Sequence, residues 1–211
     1  MSYIEFFFRY FHVLAGIVWI GMLYYFNFVQ TEYFKEAEAS AKSDAMAKLA
    51  PRALWWFRWG AMLTFLTGAY LLHKIGAFGM AMPAIWVGAL AGTFMFLNVW
   101  LVIWPNQQIV LGMKEGDGPA AAARAGLASR TNTLFSGPML LGMLGSKHIA
   151  AISTQVGGSV SDAGLFTAMG IIILLEINAL FGGMGPMKSV MGVVHCSLAL
   201  MLAILGILLY L

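Results

Sequence analysis

Six apolar stretches separated by short polar breaks dominate this sequence and narrow the folds open to it. They run from about Ile4 to Val29, Leu54 to Leu72, Pro83 to Trp104, Asn132 to Leu144, Ala163 to Phe181 and Val190 to Leu211. Crossing about 30 Å of hydrocarbon takes about 20 apolar residues in a helix. The spacing therefore predicts an all-α integral membrane protein, a bundle of five to six transmembrane helices with the fourth the weakest. Composition agrees: 61% of the residues are apolar and 10% charged, where soluble domains carry about half and about a quarter. Soluble enzymes, disordered regulators and nucleic-acid binders are excluded. The net charge of +3 comes from scattered Lys and Arg, not from a phosphate-binding stripe. Cys196 is the single cysteine, which excludes a disulfide framework and a Cys-rich metal site. No C-x-x-C-H is present for covalent haem attachment. The N-terminus does not read as a cleavable leader, because Glu5 occupies the would-be basic region, the apolar run is too long and no small-residue cleavage site follows.

The chain reads as one membrane domain, residues 1–211, without internal repeats. Thr31 to Arg52 mixes Lys35, Glu36, Glu38, Lys42, Asp44 and Lys48 with alanines, as a solvated helical hairpin would. Pro105 to Arg130 holds the turn signal Gly116-Asp117-Gly118-Pro119 and then an Ala-rich helical stretch. Gly157, Gly158, Ser159 and Ser161 mark a loop before the fifth span. The positive-inside rule sets the orientation. One side carries Lys35, Lys42, Lys48, Arg52, Lys114, Arg124, Arg130 and Lys188, and the other Arg9, Lys74 and Lys147. The first group, with segments 31–52 and 105–130, is expected in the cytoplasm and both termini in the periplasm. The chain is expected to cross its membrane several times, the outer side being the periplasm or its equivalent.

The four histidines, His12, His73, His148 and His195, lie within or at the ends of the apolar spans. At the interface His73 and His148 can reach water. His12 and His195 lie about two turns inside their helices, where a polar group without a partner is costly and ionisable residues tend to be functional. His12 shares one helical face with Gly16 at i+4 and Trp19 at i+7. A glycine one turn from a histidine leaves room for a flat macrocycle, which Trp19 could flank. Arg9, at i−3 on that face, is placed to pair with a carboxylate such as a haem propionate. The competing explanation is a small-residue packing groove at Ala15 and Gly16, with Arg9 snorkelling to the headgroups. Zinc or copper would require the histidines to converge, whereas imidazole in a helical bundle suits haem b. Depth ranks the pairs. His12 lies about 12 Å from the outer face and His195 about 8 Å from the inner one, so about 10 Å separates them. Axial nitrogens on one iron are only about 4 Å apart. His12 thus pairs more naturally with His73 or His148, and His195 would serve a second haem unless helix tilt brings it to the same one.

Glu176 is the one acid deep in a span, with Asn178 two residues on. It is either a protonated, hydrogen-bonded structural group or a proton relay to a redox site or quinone. Arg58, after Trp55, Trp56 and Phe57, reads as an interfacial anchor or as a partner for a propionate or bound anion. Trp86, Trp100 and Trp104 read as belt and packing residues. Gly88 and Gly92 form a G-x-x-x-G that favours close helix contact. The fifteen methionines read as adaptable core filler.

Four segments carry a family resemblance. His12-Val-Leu-Ala-Gly-Ile-Val-Trp-Ile-Gly-Met-Leu-Tyr-Tyr-Phe-Asn-Phe-Val-Gln30 is similar to the first span of the bacterial membrane-bound urate oxidases. Ala50-Pro-Arg-Ala-Leu-Trp-Trp-Phe-Arg-Trp-Gly-Ala61, Asn98-Val-Trp-Leu-Val-Ile-Trp-Pro-Asn-Gln107 and Ser129-Arg-Thr-Asn-Thr-Leu-Phe-Ser-Gly-Pro-Met139, running on to His148, match further. The resemblance implies a membrane domain that precedes a periplasmic cytochrome c domain and is linked to urate oxidation. Two departures qualify it: the sequence stops at Leu211 without that domain, and Thr131 stands where some relatives have a histidine. They shift the expectation from urate hydroxylation toward a haem-bearing, electron-transferring membrane subunit. The His12…Trp19-x-Gly21 pattern also resembles the haem b-binding membrane proteins that oxidise protoporphyrinogen.

The sequence thus predicts a membrane haem b protein, with one haem or two, passing electrons between a membrane or periplasmic donor and a cytochrome c or respiratory complex. Lipid surrounds it, and quinone is a further candidate partner. Its candidate ligands are His12, His148, His73 and His195, with Arg9, Gly16, Trp19 and Arg58 around the cofactor and no catalytic residue assigned. The alternatives are a urate-oxidase-like enzyme, in which Arg58, Asn98, Asn106 or Gln107 reaches an anionic purine, and a cofactor-free accessory subunit of a larger complex.

Overall fold

The computed structural model describes residues 2–76, 82–155 and 159–211. Six long helices account for most of these: α1 (Tyr3–Glu36), α2 (39–74), α3 (Ala84–Val110), α4 (Gly118–Gly145), α6 (Asp162–Phe181) and α7 (Val190–Tyr210). A short α5 (Ile149–Gln155) and a 3₁₀ turn (Gly185–Lys188) complete the elements. No strand occurs among the described residues. Side-chain oxygens cap several starts. Ser2 and Glu5 form a reciprocal capping box, and Asp117, Ser161 and Ser189 cap α4, α6 and α7. Glu5, read against a leader peptide, is part of that box. Of the expected loop 157–161, Gly157 and Gly158 lie outside the described residues.

Among the described residues, four helices are long and apolar enough to cross a membrane: α1, α3, α6 and α7. They present large apolar side chains outward, including Phe7, Phe11, Phe166, Leu174 and Leu202. The expected second and fourth spans fall on α2 and α4, which are long but more polar. For α4 the reason is its place at the centre of the bundle, where it packs against α3, α7, α6 and part of α1. Arg130, Thr131, Asn132, Thr133 and Ser136 are all buried. Asn132 and Ser136 bond neighbouring helices, and Thr131 and Thr133 bond carbonyls one turn back in α4. These polar side chains lower the hydropathy that marks a lipid-facing span.

Among the described residues three segments are π-helical: Tyr25–Gln30, Ala45–Leu49 and Asn98–Ile103. The third explains a departure from expectation. The sequence reading ends the third span at Trp104, yet α3 runs on through Pro105 to Val110. The π turns place the Trp104 N–H on the Val99 carbonyl, so the ladder has already changed register before the proline, which has no N–H to give. The hairpin expected over 31–52 turns at Ala37 and Glu38, both extended, between flanks bearing the Lys35–Glu32 and Lys48–Asp44 ion pairs.

Close packing follows the glycines. A Cβ at Gly88 would lie 2.9 Å from the Met143 nitrogen and 3.0 Å from the Met139 carbonyl oxygen, which is the contact that G-x-x-x-G predicts. Pro138 inside α4 cannot bond the Leu134 carbonyl. Ser197 of α7 donates to that oxygen at 2.9 Å and accepts from the Gly137 N–H at 3.2 Å, so a neighbouring helix satisfies what the proline releases. Ser197→Ala is expected to destabilise the fold by about 1–3 kcal/mol, because it orphans a buried carbonyl. Thermal unfolding in detergent reads this, and an unchanged midpoint would refute it.

Candidate functional site

His12 sits in the seam between α1 and α2. Its Nδ1 lies 2.9 Å from the Thr64 carbonyl oxygen and 3.2 Å from Thr67 Oγ1. A carbonyl oxygen only accepts, so Nδ1 carries the proton and Nε2 keeps its lone pair. The Thr67 hydroxyl spends its own proton on backbone carbonyls one turn back, leaving it able to accept. The ring reaches α2 because position 68 is glycine: a Cβ there would stand 2.9 Å from His12 Cε1. The same seam admits Trp19 at Gly60, where a Cβ would stand 3.1 Å from the Trp19 nitrogen, and sets Gly16 against Thr64 at 3.9 Å. His12, Gly16 and Trp19 thus share one face, and α2 packs against it. Trp19 is buried with its indole N–H unpartnered, and Arg9 is exposed.

The other histidines are exposed. His73 follows Gly68 by five residues, about 7.5 Å of helix rise. His195 lies on an outward part of α7. His148, just before α5, borders an apolar groove of about 590 Å³ along α4 and α7, whose inner end is marked by the Tyr24–Ser136 hydroxyl pair at 2.8 Å. That groove takes no residue from α1 before Tyr24. Among the described residues, no three of His, Cys, Asp and Glu form a metal-ion cluster. Arg58 stacks on Trp104, its guanidinium carbon 3.4 Å from the ring centroid, with Trp100 at 5.9 Å, as an interfacial anchor does.

A polar centre joins three helices. Asn98 donates at 3.0 Å both to Asn132 Oδ1 and to Glu176 Oε2, and Asn132 donates to the Met95 carbonyl at 2.9 Å. All three side chains are buried, and among the described residues no cation pairs with Glu176. Asn178 serves elsewhere, bonding Gly183 beyond the end of α6. The Asn132 contribution escaped sequence reasoning, because α4 could not be matched to its neighbours from sequence.

A second cavity, of about 300 Å³, opens at the end of the bundle that holds the 31–52 hairpin. All three π-helical segments reach its wall, through Asn27 and Gln30, Met46, and Ile103. Such segments are frequent at functional sites. Of the four polar residues singled out for a substrate, Gln107 lines this cavity. Asn98 belongs to the polar centre, Asn106 bonds Arg124 at 3.1 Å, and Arg58 stacks on tryptophan. The sequence reading missed Arg130, counted there as loop charge. It is 5% exposed and lines the cavity, and its Nη1 has no hydrogen-bond partner.

No match was found among curated proteins or solved structures. A family model described as urate oxidase N-terminal matches residues 77–204, more than half of the chain and all of α3, α4 and α6. The stretches of α3 and α4 that resembled the bacterial membrane-bound urate oxidases lie inside that match, and the chain belongs to the urate oxidase N-terminal family.

Proposed function

We propose that this protein is a membrane-embedded redox subunit of the urate-oxidase type that holds haem b through His12. It would pass electrons between a membrane or periplasmic donor and a cytochrome c or respiratory complex. The observation that carries this is the hydrogen-bond state of His12. A backbone carbonyl fixes the Nδ1–H tautomer, which is how second-shell groups orient a ligating imidazole and raise its basicity. Among the described residues, His12 is the one histidine whose ring is hydrogen-bonded. His12 would hold the haem iron through its free ring nitrogen, since neutral imidazole is a usual iron ligand. Haem, when bound, supplies a one-electron ferric/ferrous couple.

The chain's own residues do the rest. Thr64 and Thr67 orient the ring, and Gly68 lets it approach α2. The apolar faces of α1 and α2 exclude water, which tunes potential. Arg9, one turn toward the N-terminus and exposed, is placed to meet a carboxylate. His73 and His148, both on the N-terminal side of the bundle, are the proposed second ligands, with His195 for a second haem. The proposed topology is six spans with both termini periplasmic, in a bacterial inner membrane; the six long helices and the eight-to-three division of Lys and Arg support it.

Mixing the dithionite-reduced, desalted protein with ferric cytochrome c tests the function. Cytochrome c should be reduced in proportion to the haem present, and the His12→Ala protein should reduce less in proportion to the haem it has lost. A ferric cytochrome c spectrum unchanged by wild-type protein would overturn the proposal.

A further inference from the structure

We infer that the cavity beside the 31–52 hairpin binds a small organic anion, with the guanidinium of Arg130 as its anchor. The inference goes beyond the haem proposal, because the cavity wall includes none of His12, Thr64, Thr67 or Gly68. Arg130 is 5% exposed, makes no hydrogen bond to any described residue, and has Nη1 buried without a partner. A buried cation in this state is costly unless something pairs with it. The nearest compensation is electrostatic, from Glu32, whose carboxylate is already bonded through both oxygens to Lys35 at 2.8 and 2.9 Å. The wall adds a second cation, Lys188, and contains no acid. Charge therefore selects an anion.

Two further features narrow the class. Gln30 also lines the cavity, and its amide oxygen is buried without a donor. A ligand that satisfies both orphans presents negative oxygen to Arg130 and an N–H or O–H to Gln30. Much of the remaining wall is apolar, with Phe26 and Phe57 set edge to face at 5.6 Å and Leu54 and Ile103 beside them. That surface suits a flat organic body and gives a bare inorganic ion little to contact. Residues of α1, α2, α3 and α4 enclose it, which favours a soluble molecule over the headgroup of a lipid in the surrounding bilayer.

Isothermal titration calorimetry on the purified full chain in detergent tests this with four probes. Orotate is a planar carboxylate with ring N–H donors, and benzoate is a planar carboxylate without them. Inorganic phosphate and dihexanoyl phosphatidylglycerol represent the bare ion and the headgroup. Orotate is expected to bind most tightly. Arg130→Gln should weaken it about tenfold to a hundredfold, the range for a hydrogen bond to a charged group. Gln30→Leu, at a partly exposed position, should weaken orotate and leave benzoate unchanged, which keeps the test decisive if Arg130→Gln does not fold. Equal orotate affinity in wild type and Arg130→Gln would overturn the inference. So would tighter binding of phosphate or of the short-chain lipid, or equal loss of orotate and benzoate in Gln30→Leu.

Discussion

His12→Ala should yield a folded protein that has lost most of its haem. The substitution removes the imidazole that Thr64 and Thr67 hold in one tautomer. Disturbing an outer-shell partner of a metal-bound histidine already costs about ten- to a hundredfold in affinity. Loss of the ligand itself should exceed this, and haem per chain after size exclusion should fall at least about tenfold. Folding should survive, because the side chain removed is half-buried at the edge of the seam and the buried contacts around Gly60 and Trp19 remain. Thr67→Val gives a graded companion: it deletes the acceptor at 3.2 Å but keeps the Thr64 bond, so haem should be retained with a shifted potential. Wild-type haem content in monodisperse His12→Ala would remove His12 from the site.

The largest loss of stability is expected at the polar centre. Asn132→Leu removes the donor to the Met95 carbonyl and one of the two acceptors of Asn98 in a single step. The Met95 carbonyl keeps the backbone N–H of Asn98, so the orphan is the Asn98 side-chain N–H that faced Asn132. An orphaned buried group costs about 1–3 kcal/mol, although hydrogen bonds between membrane helices average nearer 0.6 kcal/mol. The upper figure applies here because Asn98 and Asn132 are 1% and 0% exposed, so neither bilayer water nor lipid headgroups can substitute. Asn106→Ala, at a part-buried position that accepts from Arg124 and donates to the Val102 carbonyl one turn back in its own helix, should cost less than Asn132→Leu, under about 1 kcal/mol. Denaturant titration in detergent of Asn132→Leu, Glu176→Gln and the double variant should show non-additivity, since both bond Asn98. Additive effects would mean that the three side chains do not act as one centre.

Much of the helical plan is legible in the sequence, because a bilayer requires long apolar runs and leaves the backbone little alternative to helix. All six runs became helices, and the Gly88 contact with α4 followed from its spacing. What sequence could not supply was the identity of each neighbour. The face shared by His12, Gly16 and Trp19 was readable at helical spacing, but nothing in α1 says that Thr64 stands opposite Gly16. The third span reads as ending at Trp104, and the π turns that carry α3 past Pro105 have no simple sequence signal. Arg130 looked like one more inner-side charge. Only the packing of α1, α2 and α3 around it turns a loop cation into a buried one. Asn132 and Glu176 lie on helices far apart in the chain, and one sequence carries no record of their meeting at Asn98.

The central claim is that this chain carries haem b, and pyridine haemochrome quantification of wild-type protein purified without stripping tests it most directly. The account predicts a b-type haemochrome at about one haem per chain, rising toward two if His195 holds a second. A colourless, monodisperse protein would contradict it and leave the accessory-subunit alternative standing.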